Sequence, residues 1–267
     1  MKLLITFIAL TASAQNYKSY DPGTGAYPVA RVSFLSSQGI QKDLLHDSSL
    51  VVYFPMGHLP GLQQANDNSR SSLVATRTGP FGARGFYQSL TGPEGPYFQA
   101  SSPNSYTISP TPTLAGTFTV MAWVKPSSPS TSQFPRVIET FYQTGFFLGG
   151  NGSGQWLFGV NNNVTTSAGT ITTGSWPNNP WVFLCGVYNG ATATLYVNGT
   201  AVAGPTTITS PGTKSLAMAI GYCSSAGSAG CAGSSGAWDG QIDSVRVYSG
   251  RALSSGEIAA IYNAENH

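Results

Sequence analysis

Cutting a glycosidic bond usually takes two carboxyl groups, about 5–5.5 Å apart in retaining enzymes and further apart in inverting ones. Residues two apart on a strand face the same way, so a catalytic pair on a sheet reads as E-x-D-x-E or a close variant. The chain has ten acidic residues among 267: Asp21, Asp43, Asp47, Asp67, Glu94, Glu139, Asp239, Asp243, Glu257 and Glu265. None shows that spacing on an apolar stretch. Asp239 and Asp243 straddle Gly240, Glu139 is alone in "RVIETFY", and Glu257 has the position of a helix-capping residue. The histidines are His46, His58 and His267. His46 precedes Asp47 in a polar stretch, but no serine sits in a nucleophile elbow and no Cys/His set has zinc spacing. No catalytic residue is assigned, and an enzyme is not expected.

Binding chemistry is better supplied. Exposed aromatic rings stack on sugar faces, and amides beside them supply hydrogen bonds. Trp176 lies in "TGSWPNNPW" with Asn178 and Asn179 next to it and no apolar periodicity around it. Ordered loops often carry binding residues, so these three are the candidate ligand contacts; the alternative is a hydrophobic lid over a sheet edge. Trp123, Trp156 and Trp181 fall in strand patterns and belong to the core, and Trp238 packs before the closing strand. Calcium takes oxygen ligands. Asp67, within "NDNS", and Asp243 are candidates for one ion if the ends of the domain meet. The competing reading gives Asp67 an Asx turn and Asp243 bonds to backbone amides. Arg70, Arg77 and Arg84 recur every seven residues, but Gly and Pro interrupt the segment, so no helical basic stripe is expected.

The bulk properties place this chemistry. Met1-Lys2, an apolar run from Leu3 to Leu10 and Ala12-Ser13-Ala14 have the form of a secretory signal over residues 1–14. The run is too short to span a bilayer, which takes about 20 residues. A secreted, extracellular chain is expected. Charged residues are 8% of the sequence, and removing Lys2 from its twelve basic residues leaves eleven against ten acidic ones. Near-neutrality gives no electrostatic case for nucleic acid or an anionic membrane. Cys223 and Cys231 share one Gly/Ser-rich loop, where a secreted chain forms a local disulfide. Cys185 sits in the apolar "WVFLCGVY", as a buried thiol. Asn151, Asn163 and Asn198 begin N-x-S/T acceptors.

The elements that must position these residues are mostly strands. Residues 15–48 read as an extension or linker with at most one docked strand. From Leu50, "LVVYFPM" is a strand that stops at Pro55, which cannot donate to a ladder. In "TFTVMAWVKP", Phe118, Val120, Ala122 and Val124 share one face while Met121 and Trp123 share the other, the mark of a central strand. Asn198-Gly199 predicts a type I′ hairpin in "TATLYVNGTAV". "QIDSVRVYS" is a last strand whose inward phase slips between Ile242 and Val245, implying a bulge. Ser254 and Glu257 then form a capping box, with a staple from Leu253 to Ile258, and Ile258, Ile261 and Tyr262 share a helical face. So short a helix must dock to persist. The pattern predicts an all-β sandwich without internal repeats.

The tail "GQIDSVRVYSGRALSSGEIAAIY" resembles the closing signature of laminin G-like jelly rolls of the concanavalin A-like lectin/glucanase superfamily. "FTVMAWVKP" resembles that family's first inner strand, "WVFLCGVYNGATATLYVNGTAV" its central hairpin, and "LVVYFPM" with "NDNS" and "GPFG" its entry. The likeness runs in order over residues 49–267. It implies an antiparallel two-sheet jelly roll with one concave face and a short C-terminal helix. It also implies a non-catalytic module that binds an extracellular glycan or matrix protein, with calcium as a candidate support. The alternatives are a structural component of an extracellular coat or matrix and, behind it, a glycoside hydrolase. The oligomeric state is not legible.

Overall fold

The computed structural model describes residues 47–54, 64–66, 69, 71, 73–78, 87–88, 96–100, 105–126, 134–140, 145–161, 163–166, 180–208, 217–223, 236–238 and 240–265. They form β1 (Leu50–Phe54), β2 (Gln64–Asn66), β3 (Val74–Thr78), β4 (Tyr87–Gln88), β5 (Pro96–Ala100), β6 (Ser105–Ser109), β7 (Phe118–Pro126) and β8 (Arg136–Thr140). There follow β9 (Phe146–Gly150), β10 (Trp156–Val160), β11 (Asn163–Thr166), β12 (Val182–Tyr188), β13 (Thr192–Val197), β14 (Thr200–Thr207), β15 (Met218–Ile220), β16 (Gly240–Ser249) and the helix α1 (Ser255–Glu265).

The strands make two antiparallel sheets. The first runs β14-β13-β12-β7-β16-β5-β4, with β1 also paired to β16; the second runs β11-β10-β9-β8-β15-β6-β3-β2. The long β16 serves two partners on one edge. Gly240, Gln241 and Ile242 pair with β5, while Val245 to Tyr248 pair with β1. On the other edge β16 pairs with β7, and the register shifts between Asp243 and Arg246. Ser244 sits at that shift with φ 49°. The bulge is the physical form of the phase slip in the sequence. It returns both Ile242 and Val245 to the inter-sheet core and puts Asp243 and Arg246 on the outer side.

Between the sheets lie Phe118, Val120, Ala122 and Val124 from β7, Leu184 from β12, Leu195 from β13 and Val247 from β16, facing Ile138, Phe146, Leu148, Phe158 and Ile220. Trp156 and Trp238 stack in the same core with centroids 6.0 Å apart. The opposite face of the first sheet carries Met121, Trp123, Phe183 and Cys185, and α1 lays Ile258 and Ile261 on it. Both faces of β7 are therefore apolar, as its sequence requires. The turn at Asn198-Gly199 has φ 49° and 76°, the left-handed pair a type I′ hairpin needs. Ser254 Oγ accepts from the Glu257 amide at 3.3 Å, and Glu257 Oε2 accepts from the Ser254 amide at 3.0 Å, closing the capping box. Leu253 joins Ile258 in the cluster beneath α1, completing the staple.

Candidate functional site

Strand alternation gives each sheet an outer face, and the two are equipped differently. On the first sheet that face is occupied. Under the end of α1 a polar cluster joins the apolar contact. Trp123 Nε1 donates to Glu265 Oε2 at 2.7 Å, Arg246 pairs with Glu265 Oε1, and the Arg246 guanidinium lies 4.3 Å from the centre of the Tyr53 ring. Trp123 also stacks on Tyr262 with centroids 5.6 Å apart. Glu265 lies at the helix C-terminus, where the macrodipole disfavours an acid; Arg246 and Trp123 offset that. Burial pulls the Arg246 guanidinium down, but Glu265 and then Tyr53 outweigh it, and its net displacement is upward.

Asp243 belongs to the same cluster. It is 5% exposed and accepts the Ser244 amide at 2.6 Å. Burial raises its carboxyl well above the usual range; the Ser244 bond lowers it, Glu265 raises it and Arg246 lowers it. Asp67, its expected calcium partner, lies outside the described residues. One oxygen of Asp243, Oδ1, accepts the Ser244 amide, and the Arg246 guanidinium lies in the same cluster. Among the described residues no three His, Cys, Asp or Glu side chains come together as metal ligands.

On the second sheet, a register shift between Arg136 and Ile138 separates the core-facing Ile138 from the outward pair Arg136 and Glu139. These two are 1% and 0% exposed, and Arg136 Nε lies 2.6 Å from Glu139 Oε2. The guanidinium stands 3.7 Å over the Phe147 ring, which clusters with Leu157 and Phe134. Breaking a buried pair by removing one partner leaves an uncompensated charge and is strongly destabilising, so each partner holds the other in place. The sequence showed Glu139 as a lone acid on an apolar strand; its partner three residues earlier was the missed signal.

The described acids are all engaged in structure. Asp47 accepts the Ser49 amide and hydroxyl and pairs with Arg251, which also pairs with Glu257. Of the expected contacts, Trp176, Asn178 and Asn179 lie outside the described residues. They fall between β11, an edge of the second sheet, and β12, inside the first. Trp123, Trp156, Trp181 and Trp238 are buried, as their settings predict. Cys185 is a buried free thiol and Cys223 is buried, while Cys231 lies outside the described residues. Asn151 and Asn163 are half-buried and Asn198 is exposed. No described helix is long and apolar enough to cross a membrane.

Two antiparallel sheets locked by a C-terminal helix define a jelly-roll sandwich of the lectin-like class. The family model of the concanavalin A-like lectin/glucanases superfamily, in its laminin G form, matches residues 100–259, more than half of the chain. The chain belongs to that superfamily. Among curated proteins no sequence matches it. Among solved structures, one of botulinum neurotoxin type C, whose cell entry depends on two ganglioside molecules, aligns with TM-score 0.57 at 11% identity, over 80% of this chain and 51% of that one. Domain 4 of the extracellular arabinanase AbnA from Geobacillus stearothermophilus, bound to arabinotriose, aligns with TM-score 0.57 at 15% identity, over 80% of this chain and 98% of the domain. The binding domain of botulinum neurotoxin DC, in complex with rat synaptotagmin II, gives TM-score 0.53 at 13% identity, over 81% and 51%. The chain thus spans about half the length of the two toxin structures. At these identities the likeness is one of fold.

Proposed function

We propose that the protein is a secreted, non-catalytic module that binds an extracellular glycan or protein. The observation that carries this reading is the disposition of the carboxylates. A jelly roll of a lectin/glucanase superfamily cleaves sugars only with two acids free to face a substrate. Among the described residues the five acids, Asp47, Glu139, Asp243, Glu257 and Glu265, are tied to backbone amides, arginines or the cap. The structural relatives named for binding a ganglioside, arabinotriose or synaptotagmin support the same reading. With α1 on the first sheet and the outward Arg136, Glu139, Phe147 and Leu157 of the second buried, the ligand surface falls to the loops at the margins of the sandwich. The Trp176–Asn178–Asn179 stretch, which follows β11 in the chain and lies outside the described residues, stays the candidate contact. Calcium is not needed for this reading.

The test is a glycan array that includes arabino-oligosaccharides and sialylated ganglioside headgroups, read with and without a chelator, beside an assay for released reducing ends. Specific, chelator-insensitive binding without new reducing ends is expected, and Trp176→Ala abolishes it while leaving the melting temperature unchanged. Released reducing ends would overturn the non-catalytic reading. A blank array, with no extracellular matrix protein retained, would favour the structural-coat alternative.

A further inference from the structure

We propose that Asn198 carries an N-linked glycan and that Asn151 and Asn163 do not. The inference rests on the secretory reading above. In the reaction the asparagine Nδ2 attacks the anomeric carbon of an oligosaccharide–diphosphate-lipid donor. The new Nδ2–C1 bond replaces the C1–O bond to phosphate, the lipid diphosphate leaves, and one Nδ2 proton passes to a base. The glycan is attached to the chain and must then be tolerated by the fold. The three acceptors differ in what the fold asks of Nδ2.

At Asn151 it asks a great deal. Nδ2 donates to Gln155 Oε1 at 3.0 Å, while Oδ1 accepts the amides of Ser153 at 3.1 Å and Gln155 at 2.9 Å. The side chain is the internal tie of the β9–β10 turn, and a glycan on Nδ2 competes with it. At Asn163, Nδ2 donates to the carbonyl of Asn161 at 2.9 Å and reaches that of Val160 at 3.4 Å. That bond steadies a turn in which Asn161 has φ 47°. Both side chains are half-buried.

Asn198 is arranged the other way. It is exposed at the β13–β14 turn. Its Oδ1 accepts the Phe183 amide at 2.9 Å, and its own amide donates to the Phe183 carbonyl at 2.8 Å. The planar amide then points Nδ2 away from Oδ1, and no described residue accepts from it. A glycosylated asparagine keeps its Oδ1, so the bond to Phe183 survives modification. Thr200, the hydroxyl residue of the acceptor, is also exposed at the start of the edge strand β14. A Cβ on Gly199 would lie 3.1 Å from Tyr262 Cδ1, so this turn abuts α1. The glycan leaves beside the face the helix already occupies.

The experiment expresses the full chain in a eukaryotic secretory host in two forms, with its own N-terminal residues and behind an exogenous leader. N-glycans are released enzymatically in heavy-oxygen water and the peptides are mapped by mass. A heavy-oxygen aspartate at position 198 and unmodified asparagines at 151 and 163 are expected in the exported protein. Spontaneous deamidation of Asn198-Gly199 beforehand, in ordinary water, leaves no heavy oxygen. Thr200→Val removes the glycan without touching the Asn198–Phe183 bonds, whereas Ser153→Ala and Thr165→Val leave the attached glycan mass unchanged. Export by the leader with position 198 unlabelled overturns the proposal, as does label at 151 or 163. Export by the leader alone, with 198 labelled, upholds the proposal and overturns the secretory reading of the chain's own N-terminus.

Discussion

Gly186 gives the sharpest check on how the two sheets meet. It lies in β12, opposite Val120 of β7 and Leu195 of β13, and so faces the core. A Cβ there would stand 2.4 Å from Phe158 Cδ2 and 2.6 Å from Cε2. Carbon atoms prefer about 3.5–4.0 Å, so Gly186→Ala must displace the ring by roughly 1 Å. Phe158 is fully buried and meets Phe118 edge-on at 6.2 Å, which leaves it nowhere to go. Overpacking of this kind costs about 1–3 kcal/mol, offset by the roughly 0.5–1 kcal/mol that a strand glycine loses relative to alanine. A net loss of about 1–2 kcal/mol is expected, or several degrees in melting temperature at about 2–4 °C per kcal/mol. Phe158→Leu alone leaves a void and also destabilises. In that background the methyl added by Gly186→Ala enters the vacated space, so its cost vanishes or reverses. Urea denaturation of the four proteins, with m-values compared, should give a coupling of at least about 1 kcal/mol, above the roughly 0.3–0.5 kcal/mol by which independent sites fail to add. Equal cost of Gly186→Ala in both backgrounds would refute the placement of Phe158 over β12, and with it the facing of these sheets.

Three further outcomes are expected. Ser254→Ala removes the cap of α1 and costs about 1 kcal/mol, read as a lower melting temperature with faster amide exchange confined to the helix. The raised carboxyl of Asp243 means that the folded state holds its proton to higher pH than the unfolded chain. Its contribution is full below the unfolded value near 3.9 and is lost as pH rises through the folded value. Asp243→Asn keeps an acceptor for the Ser244 amide and should flatten that decline in melting temperature with rising pH. Calcium titrated into the wild type and the same variant tests the ion site: a response lost on substitution would make Asp243 a ligand, and an unchanged one would exclude it. Peptide mapping without reductant should recover Cys223 joined to Cys231, while Cys185, whose thiol burial pushes upward, reacts with alkylating reagents only after unfolding.

What could be read in the sequence was whatever repeats at the period of its own element. The two faces of β7, the Asn198-Gly199 turn, the slip in β16 and the cap and staple of α1 are all local patterns, and each reappears in the described residues. What could not be read depends on contacts between distant parts of the chain. Glu265 takes Trp123 and Arg246 as partners across 142 and 19 residues of sequence. Arg136 and Glu139 lie only three residues apart. The bulge that lets both face outward depends on the pairing of β8 with β9, which no local window contains. Asp243 was legible as a strand acid, but its burial under the end of α1 follows from where the helix docks.

That docking also decides where a ligand can go. An amphipathic helix of eleven residues does not hold its shape alone in water, so α1 needs the apolar outer face of the first sheet as much as that face needs a cover. Trp123, Phe183 and Tyr262 meet in one aromatic contact there. The Glu265–Arg246 pair fixes the end of the helix over it. Among the described residues of this face, Trp123, Phe183 and Tyr262 are committed to one another and Glu265 to Arg246 and Trp123. The loops that enter and leave the sheet edges are where chain variation costs the core nothing. The same division of labour explains how a superfamily that includes glucanases accommodates a member with its described acids bound up in architecture. The sandwich is built by the strands, and chemistry is added or omitted at the margin.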